Sequence, residues 1–352
     1  MNPITVAVHG TGPLNALNRF GVISRRYGLT PGKMDRILGH FVEILSRFGC
    51  GATFPITGAA LARSRGVVEK YRGQNIEFAV HGYYHVDHAR LSLDQQLAHF
   101  ARARHLFDER GVTRHGFRCP YLRWNEDTIT AIKQTGFLYD SSQSLAWDVV
   151  DADAHAEAYW RVLDFYGAAR ATAFPALPRW DNGLVRIPYC QPDDEALVDR
   201  LGIRTAELMT EKWLTILART YELGELFTLG LHPERIRACE TSLVEVLRQA
   251  RLMSPGVWIA RLDEIVRWWI DRMDTVVSIA DGDDGELKLS VDGPDGVTIL
   301  TRGVEVMTPT VTWDGVYERV KGTKVRFRAD QRPFIGVSPS SSPRLTTFLR
   351  QQ

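Results

Sequence analysis

Cysteine is scarce in this sequence, which has four cysteines among 352 residues and no CxxC spacing. Without a CxxC pair, the sequence has none of the zinc or redox motifs that are built on that spacing. Reduced, mostly buried thiols are the expectation for such isolated residues, as in a cytosolic protein. The cysteines are Cys50, Cys119, Cys190 and Cys239.

Excess charge and long apolar runs are also missing. The net charge is +1, which gives no argument for a nucleic-acid partner or an anionic membrane surface. The first residues, 1–5, carry neither a charged stretch nor a long apolar stretch, and no apolar run reaches membrane-spanning length. We therefore expect a cytoplasmic protein with no membrane span. The sequence does not indicate its oligomeric state.

What the sequence has is an ordinary globular composition, with 44% hydrophobic and 24% charged residues. A chain of this length can bury a sizeable core and form one large domain with a small one beside it.

Apolar periodicity alternates between strand and helix from the start of the chain. This β-α-β-α-β rhythm implies parallel strands with helices packed outside them. The predicted elements are a strand at 4–8, a helix from Thr30 to Phe48, a strand at 52–57, a helix at 59–71 and a strand at 75–80.

The alternation continues as far as residue 273, with one interruption. Residues 143–183 are rich in Trp, Asp and Ala and are predicted to be an irregular insertion or lid. The other predicted elements are a helix from Leu93, strand ends at 116–121, 137–142 and 184–188, a helix at 205–223, an apolar strand at 226–233 and a helix at 262–273.

After about residue 275 the pattern changes to Asp-Gly turn clusters between alternating runs. These turns lack the spacing of a calcium-binding EF-hand loop, so we interpret them as turns. We predict two domains: an α/β domain at 1–274 and a small all-β unit at 275–352.

The densest group of chemically active residues lies at 80–88, where His81, His85, Asp87 and His88 follow a predicted strand. The carboxyl ends of such strands carry the chemistry in α/β barrels. Neutral imidazole is a common zinc ligand, and the spacing of His81 and His85 suits one metal ion. Solvated histidines in a polar loop are the competing interpretation of this stretch alone.

Several motifs occur together and in order. They are Phe48–Phe54, His81-Gly82-Tyr83-Tyr84-His85, Arg118-Cys119-Pro120-Tyr121, Tyr139-Asp140-Ser141-Ser142 and Leu231-His232-Pro233. As a set they resemble the polysaccharide deacetylase superfamily, also called NodB-homology proteins or carbohydrate esterase family 4. The resemblance covers residues 4–272. It implies a distorted (β/α) barrel of the NodB type that hydrolyses an amide bond with one divalent metal, most simply zinc.

The first motif departs from the family pattern. Where the family has two aspartates, one a base and one a metal ligand, this chain has Ala7-Val8-His9. His9 can replace the ligand, so the resemblance implies a three-histidine site of His9, His81 and His85, although His9 is equally typical of a structural turn. Ala7 cannot replace the base.

The resemblance also implies roles for residues at other strand ends. His232 would be the general acid for the leaving amine, and Arg118 would position a carboxylate partner. Tyr121 would offer its backbone N–H to the oxyanion. Asp87 is placed among the catalytic residues, and two roles are open for it. It could be the missing base, a role that His88 could also take. It could instead be a carboxylate that orients a ligand imidazole. A satisfied histidine at 232 and a surface arginine at 118 are the alternatives.

Three functions remain open from the sequence. The first is deacetylation of an N-acetylated sugar or glycoconjugate precursor. The second is hydrolysis of a cyclic imide or ureide, because the HGYYH variant is similar to the allantoinase-like and cyclic-imide-hydrolase-like branch. The third is a deacetylase-like protein that lost its base and binds a glycan or a partner.

Overall fold

The computed structural model describes residues 31–113, 115–150, 152–294, 297–307, 309–313, 317–321 and 324–331. The strand predicted at 4–8, with Ala7 and His9, lies outside the described residues. The chain divides into two units between residues 263 and 264. The predicted domain boundary at 274 stays a prediction.

Nine α-helices are described. The predicted helix at 59–71 is two helices separated at Ser64, and residues 236–252 form a helix to which the sequence analysis assigned no element. The helices are α1 (Pro31–Arg47), α2 (Gly58–Arg63), α3 (Arg65–Tyr71), α4 (Leu93–Glu109), α5 (Glu126–Thr135), α6 (Ala152–Tyr166), α7 (Ala206–Leu223), α8 (Ile236–Leu252) and α9 (Leu262–Met273).

Sixteen strands are described, nine of them before residue 192. These nine are β1 (Ala52–Ile56), β2 (Ile76–Val80), β3 (Gly116–Phe117), β4 (Tyr139–Asp140), β5 (Ser144–Ala146), β6 (Ala169–Arg170), β7 (Arg179–Asp181), β8 (Leu184–Arg186) and β9 (Tyr189–Gln191). The others are β10 (Val276–Asp281), β11 (Leu287–Asp292), β12 (Thr298–Thr301), β13 (Glu305–Val306), β14 (Val311–Trp313), β15 (Tyr317–Lys321) and β16 (Lys324–Arg328).

The main sheet has the order β1-β2-β3-β4-β8-β7, with all neighbours parallel except the antiparallel pair β7 and β8. A second, parallel sheet has the order β6-β5-β9. The predicted parallel α/β arrangement is therefore confirmed, and within the described residues the two sheets are open rather than one closed ring.

Helix boundaries follow local chemistry. Asn125 caps the first turn of α5 by accepting from the N–H of Thr128 at 2.9 Å, and the Thr128 hydroxyl accepts from the Asn125 N–H at 3.2 Å. The same helix ends at Gly136, whose φ of 81° is left-handed and suits glycine. Ser92 and Gln95 form a similar capping box at α4.

Two apolar cores support the sheets of the first unit. One packs α1, α3, α4 and α5 around β1 and β2, and includes Phe78, Phe100 and Phe117. The other packs α6, α7 and α8 around β5 and β9, and includes Trp213. Residues 143–183 contain α6 and three strands that contribute to these layers, so the prediction of an irregular insertion was wrong.

Residues 226–233 were predicted to form a strand, but the pairing in the structure is much shorter than predicted. A single bridge pairs Leu229 with Cys190 of β9, and no longer ladder is described there.

The second unit is β-rich, as predicted. Its strands form a four-stranded sheet, β10-β11-β16-β13, and a three-stranded sheet, β12-β15-β14, both antiparallel. Alternating side chains, such as Leu289, Val291 and Phe327, form a small core of their own. None of the described helices of the protein combines the length and the apolar composition that a membrane crossing requires.

Candidate active site

The carboxyl ends of three neighbouring strands meet at one edge of the main sheet. Val80 of β2 pairs with Phe117 of β3, and Phe117 pairs with Asp140 of β4. Because the strands are parallel, the residues that follow each strand lie along the same edge. His81, Arg118 and Ser141 are therefore neighbours.

His81 and His85 lie together in the loop after β2, with ring centroids 5.1 Å apart. This loop is a bend rather than a helical turn. Nδ1 of His81 lies 2.7 Å from the carbonyl oxygen of Arg118. A carbonyl can only accept, so Nδ1 carries the hydrogen and the lone pair is at Nε2.

The electrostatics of His81 suit a metal ligand. Burial, followed by the neighbouring His85, lowers the pKa of His81 well below its usual range. Neutral imidazole with its other nitrogen bound to a carbonyl is the form in which histidine binds metals. His81 and His85 therefore fit a divalent metal. The third predicted ligand, His9, lies outside the described residues, and the three-histidine set stays a prediction.

Tyr121 is placed against this histidine pair. Its ring centroid lies 4.6 Å from that of His85. Tyr121 and Leu122 have φ values of 59° and 55°, a left-handed conformation that costs most residues roughly 1–3 kcal/mol each and that concentrates at functional sites. The geometry agrees with a positioned backbone at Tyr121, whose role as an oxyanion donor stays a prediction.

Arg118 is held by the next strand rather than by a carboxylate. Its Nε donates to the Ser141 carbonyl at 2.9 Å, its Nη2 donates to the Ser141 hydroxyl at 2.7 Å, and its guanidinium lies 4.7 Å from the centre of the Tyr189 ring. The predicted carboxylate partner is not among its contacts in the described part of the chain. Its assignment as a positioning residue stays a prediction.

The Asp87 carboxylate, which follows the histidine pair in the chain, contacts Ala89, Arg90 and Arg123. Its Oδ1 accepts from the N–H of Ala89 at 3.2 Å, and its Oδ2 lies 3.0 Å from Nε of Arg123 and 3.3 Å from Nε of Arg90. Among described residues, no imidazole contacts this carboxylate, so the predicted orientation of a ligand by Asp87 stays without a supporting contact.

His88, the other base considered in the sequence analysis, is fully buried. Its Nε2 lies 3.1 Å from Nδ1 of His99, and its ring packs against Phe100 and Phe117. Burial lowers the pKa of His88 well below its usual range and lowers that of His99 to about 4. This neutral pair favours a packing role for His88.

His232 is paired with a carboxylate that the sequence analysis did not assign. Nδ1 of His232 lies 2.6 Å from Oδ1 of Asp194, and the His232 backbone N–H donates to Oδ2 of the same carboxylate at 2.8 Å. Burial alone would lower the pKa of His232, but the charge and hydrogen bond of the fully buried Asp194 outweigh it and raise this pKa to about 9. His232 is therefore a cation at neutral pH.

Tyr189 of β9 connects the two halves of the site. Its ring lies under the Arg118 guanidinium, and its hydroxyl donates to Oδ2 of Asp193 at 2.8 Å. The bridge between Cys190 and Leu229 brings the His232 segment beside β9. Gly230 makes this approach possible, since a Cβ there would lie 1.7 Å from the Tyr189 hydroxyl oxygen.

Asp193, Asp194 and His232 also bring donor atoms within 4.8 Å of one another, which is a metal-compatible cluster. The 2.6 Å separation of Nδ1 and Oδ1 is a charge-assisted hydrogen bond, and a pKa of about 9 describes a protonated ring that cannot offer both nitrogens. This hydrogen bond favours acid chemistry for the cluster, while the histidine pair at 81 and 85 as the metal ligands stays a prediction.

The fold and the site define a class: a mixed α/β protein of the NodB type. Solved structures support it. The chain is similar to a probable polysaccharide deacetylase from Pseudomonas aeruginosa, with a TM-score of 0.55 and 20% identity over 74% of this chain and 78% of that one. It is also similar to the allantoinase Puue, with a TM-score of 0.55 and 18% identity over 74% and 77%. At such identities the likeness is one of fold.

The sequence comparisons match part of the chain. Residues 32–139 match the profile of the family described as Polysaccharide deacetylase. A peptidoglycan deacetylase-like protein from Gibberella zeae is 32% identical over 123 residues, which are 33% of this chain and 35% of that protein. The chain thus spans about a third of the length of this curated relative. The resemblance to the polysaccharide deacetylase superfamily is confirmed, and the matched segment contains the histidine pair and Arg118.

Proposed function

We propose that the protein is a metal-dependent hydrolase of a C–N amide bond, and that its substrate is an N-acetylated sugar or glycoconjugate precursor. The observation that carries the proposal is the pairing of His232 with buried Asp194, which supplies a protonated imidazole. Contacts through Arg118 and Tyr189 link this acid to the edge where His81 and His85 lie.

Each residue has a distinct task in this reaction. His81 and His85 hold one divalent metal, with His9 as the expected third ligand. That metal, when bound, polarises the acyl oxygen and makes the attacking water more acidic. The Tyr121 N–H stabilises the charge that develops on the acyl oxygen.

His232 completes the reaction as general acid. Its Nδ1 is bound to Asp194, so Nε2 is the nitrogen that faces the substrate and donates a proton to the leaving amine. Asp194 keeps the ring oriented and charged. A neutral ring would leave the amine to depart unprotonated, which is far slower.

A saccharide substrate is supported by the match of residues 32–139 to the polysaccharide deacetylase profile. The second candidate is a cyclic imide or ureide, which the HGYYH variant favours. A third candidate, a glycan-binding protein without activity, is favoured by Ala7, because the family's base is missing there.

A substrate panel separates these candidates. Metal-loaded protein is incubated with N-acetylated oligosaccharides, hydantoin-type imides and a ureide, and release of acetate or ring-opened product is measured. We expect acetate from the saccharides, and we expect its loss in His232→Ala. Ring opening without acetate release would favour the second candidate, and tight glycan binding without any product would favour the third.

A further inference from the structure

A second carboxylate lies beside the nitrogen of His232 that faces the substrate. Oε2 of Glu195 is 3.5 Å from Nε2 of His232. Asp194 binds the other ring nitrogen, Nδ1. The imidazole therefore lies between two carboxylates, Asp194 at Nδ1 and Glu195 at Nε2. The side chains of His232 and Glu195 are 30% and 23% exposed, which leaves both within reach of a substrate.

Glu195 differs from its two acidic neighbours. Asp193 and Asp194 are buried, and hydrogen bonds from Tyr189, Ala196 and His232 occupy their oxygens. Glu195 is the accessible member of this run. Its Oε1 accepts from Arg200 Nη2 at 3.3 Å, which leaves Oε2 directed toward His232.

The placement of Glu195 near the metal-binding edge follows from packing. The next residue, Ala196, is buried in one cluster with Leu122, which follows Tyr121 in the strained loop. Tyr121 in turn contacts His85. The segment that carries Glu195 is therefore packed against the loop that contacts His85.

We propose that Glu195 is the general base of this active site, in place of the aspartate that the chain lacks at position 7. This inference rests on the proposed function. Glu195 takes a proton from the attacking water as the oxygen bonds to the acyl carbon. When the C–N bond breaks, the nitrogen takes the electron pair and the proton from Nε2 of His232. The proton on Glu195 then passes to Nε2 and restores both groups.

The experiment compares Glu195→Gln with Arg200→Gln. The first variant removes the carboxylate and keeps its shape, while the second removes the ion pair and keeps the carboxylate. For a general base, we expect Glu195→Gln to lower kcat by roughly 10²- to 10⁴-fold with a small change in KM, and Arg200→Gln to lower it far less. The acidic limb of the pH–rate profile should also disappear in Glu195→Gln. Exposed Glu222 on α7, changed to Gln, is the matched control.

A substrate-independent measurement tests the geometry. The imidazole of His232 is titrated by NMR in wild type and in Glu195→Gln, and we expect a lower pKa in the variant because a carboxylate beside Nε2 favours the cation. An unchanged titration would overturn the placement. Equal losses in Glu195→Gln and Arg200→Gln would show an ion-pair role instead.

The two proposals fail in different ways. If His232→Ala abolishes hydrolysis while Glu195→Gln keeps it within about threefold, the hydrolase assignment stands and Glu195 is not the base. If wild type hydrolyses no amide or imide, both proposals are contradicted.

Discussion

The carbonyl oxygen of Arg118 lies 2.7 Å from Nδ1 of His81, and this contact joins the ends of β2 and β3. It fixes the orientation of the imidazole and which of its nitrogens carries the hydrogen. The side chain of the same arginine contacts Ser141 and Tyr189, which lead to the acid pair. Arg118 thus contacts both His81 and Tyr189, whose hydroxyl donates to Asp193 beside the His232–Asp194 pair.

Replacing both His81 and His85 with alanine should abolish stoichiometric metal binding. The physical reason is the loss of two neutral imidazoles whose rings lie 5.1 Å apart. Metal content per protein, measured by mass spectrometry after dialysis, checks this. Exposed His105 on α4, changed to Ala, is the control and should bind as wild type does. Full metal retention in the double variant would place the metal elsewhere, with the 193–194–232 cluster as the next candidate.

Asp194→Asn should lower the pKa of His232 from about 9 toward its ordinary value of 6.5, because the charge that favours the imidazolium is removed. The general acid is active only while protonated, so activity is lost as pH rises through this pKa. We therefore expect the alkaline limb of the pH–rate profile to move down by roughly one to two pH units. An alkaline limb at the same pH in Asp194→Asn would show that Asp194 does not set the pKa of the general acid.

Gly230→Ala should destabilise the fold by roughly 1–3 kcal/mol, the usual cost of overpacking. The added Cβ would lie 1.7 Å from the Tyr189 hydroxyl oxygen, and Tyr189 would have to leave Asp193 and Arg118. Denaturant unfolding measures the loss. Gly256→Ala, where no atom lies within 4 Å of the added Cβ, is the control and should change little. Equal effects from both variants would contradict the packing argument.

Glu77→Gln should remove a pH dependence of stability. Glu77 is buried and accepts from Thr53 at 2.5 Å and from Tyr139 at 2.9 Å. Burial raises its pKa from 4.5 to about 7. The folded state therefore binds the proton more tightly, and the free energy of unfolding falls as pH rises between these values, by at most roughly 3 kcal/mol.

Denaturant unfolding at several pH values between 4.5 and 8 measures the slope of the unfolding free energy against pH. The slope should be shallower in Glu77→Gln than in wild type, while Glu222→Gln should keep the wild-type slope. An identical slope in all three proteins would show that Glu77 is not the group responsible.

Sequence patterns predicted the parts of the fold that repeat along the chain. The β-α rhythm and the position of His81 after a strand follow from local periodicity, and so do the α1 and α7 helices. Strands β3 and β4 lie within the predicted strand ends at 116–121 and 137–142, but each has only two residues, too few for a periodic pattern to set its bounds. Helix α6 was missed because its Trp, Asp and Ala content resembles an irregular insertion.

The candidate site was predicted only where motifs are contiguous. Asp194 is 38 positions from His232 in the chain, and its role depends on the bridge between Cys190 and Leu229. The acidic run at 193–195 was visible in the sequence, but nothing local distinguishes a buried partner of histidine from a solvated turn. Glu195 was missed for the same reason.

The most direct test of the account measures metal occupancy and hydrolysis in the same preparation. Protein stripped of metal is titrated with zinc while acetate release from an N-acetylated oligosaccharide is followed. The account predicts that hydrolysis rises in proportion to bound metal and stops rising at one equivalent, and that His232→Ala binds the same equivalent with roughly 10²- to 10⁴-fold lower turnover. Binding of one equivalent by wild type without hydrolysis of any amide or imide would contradict it.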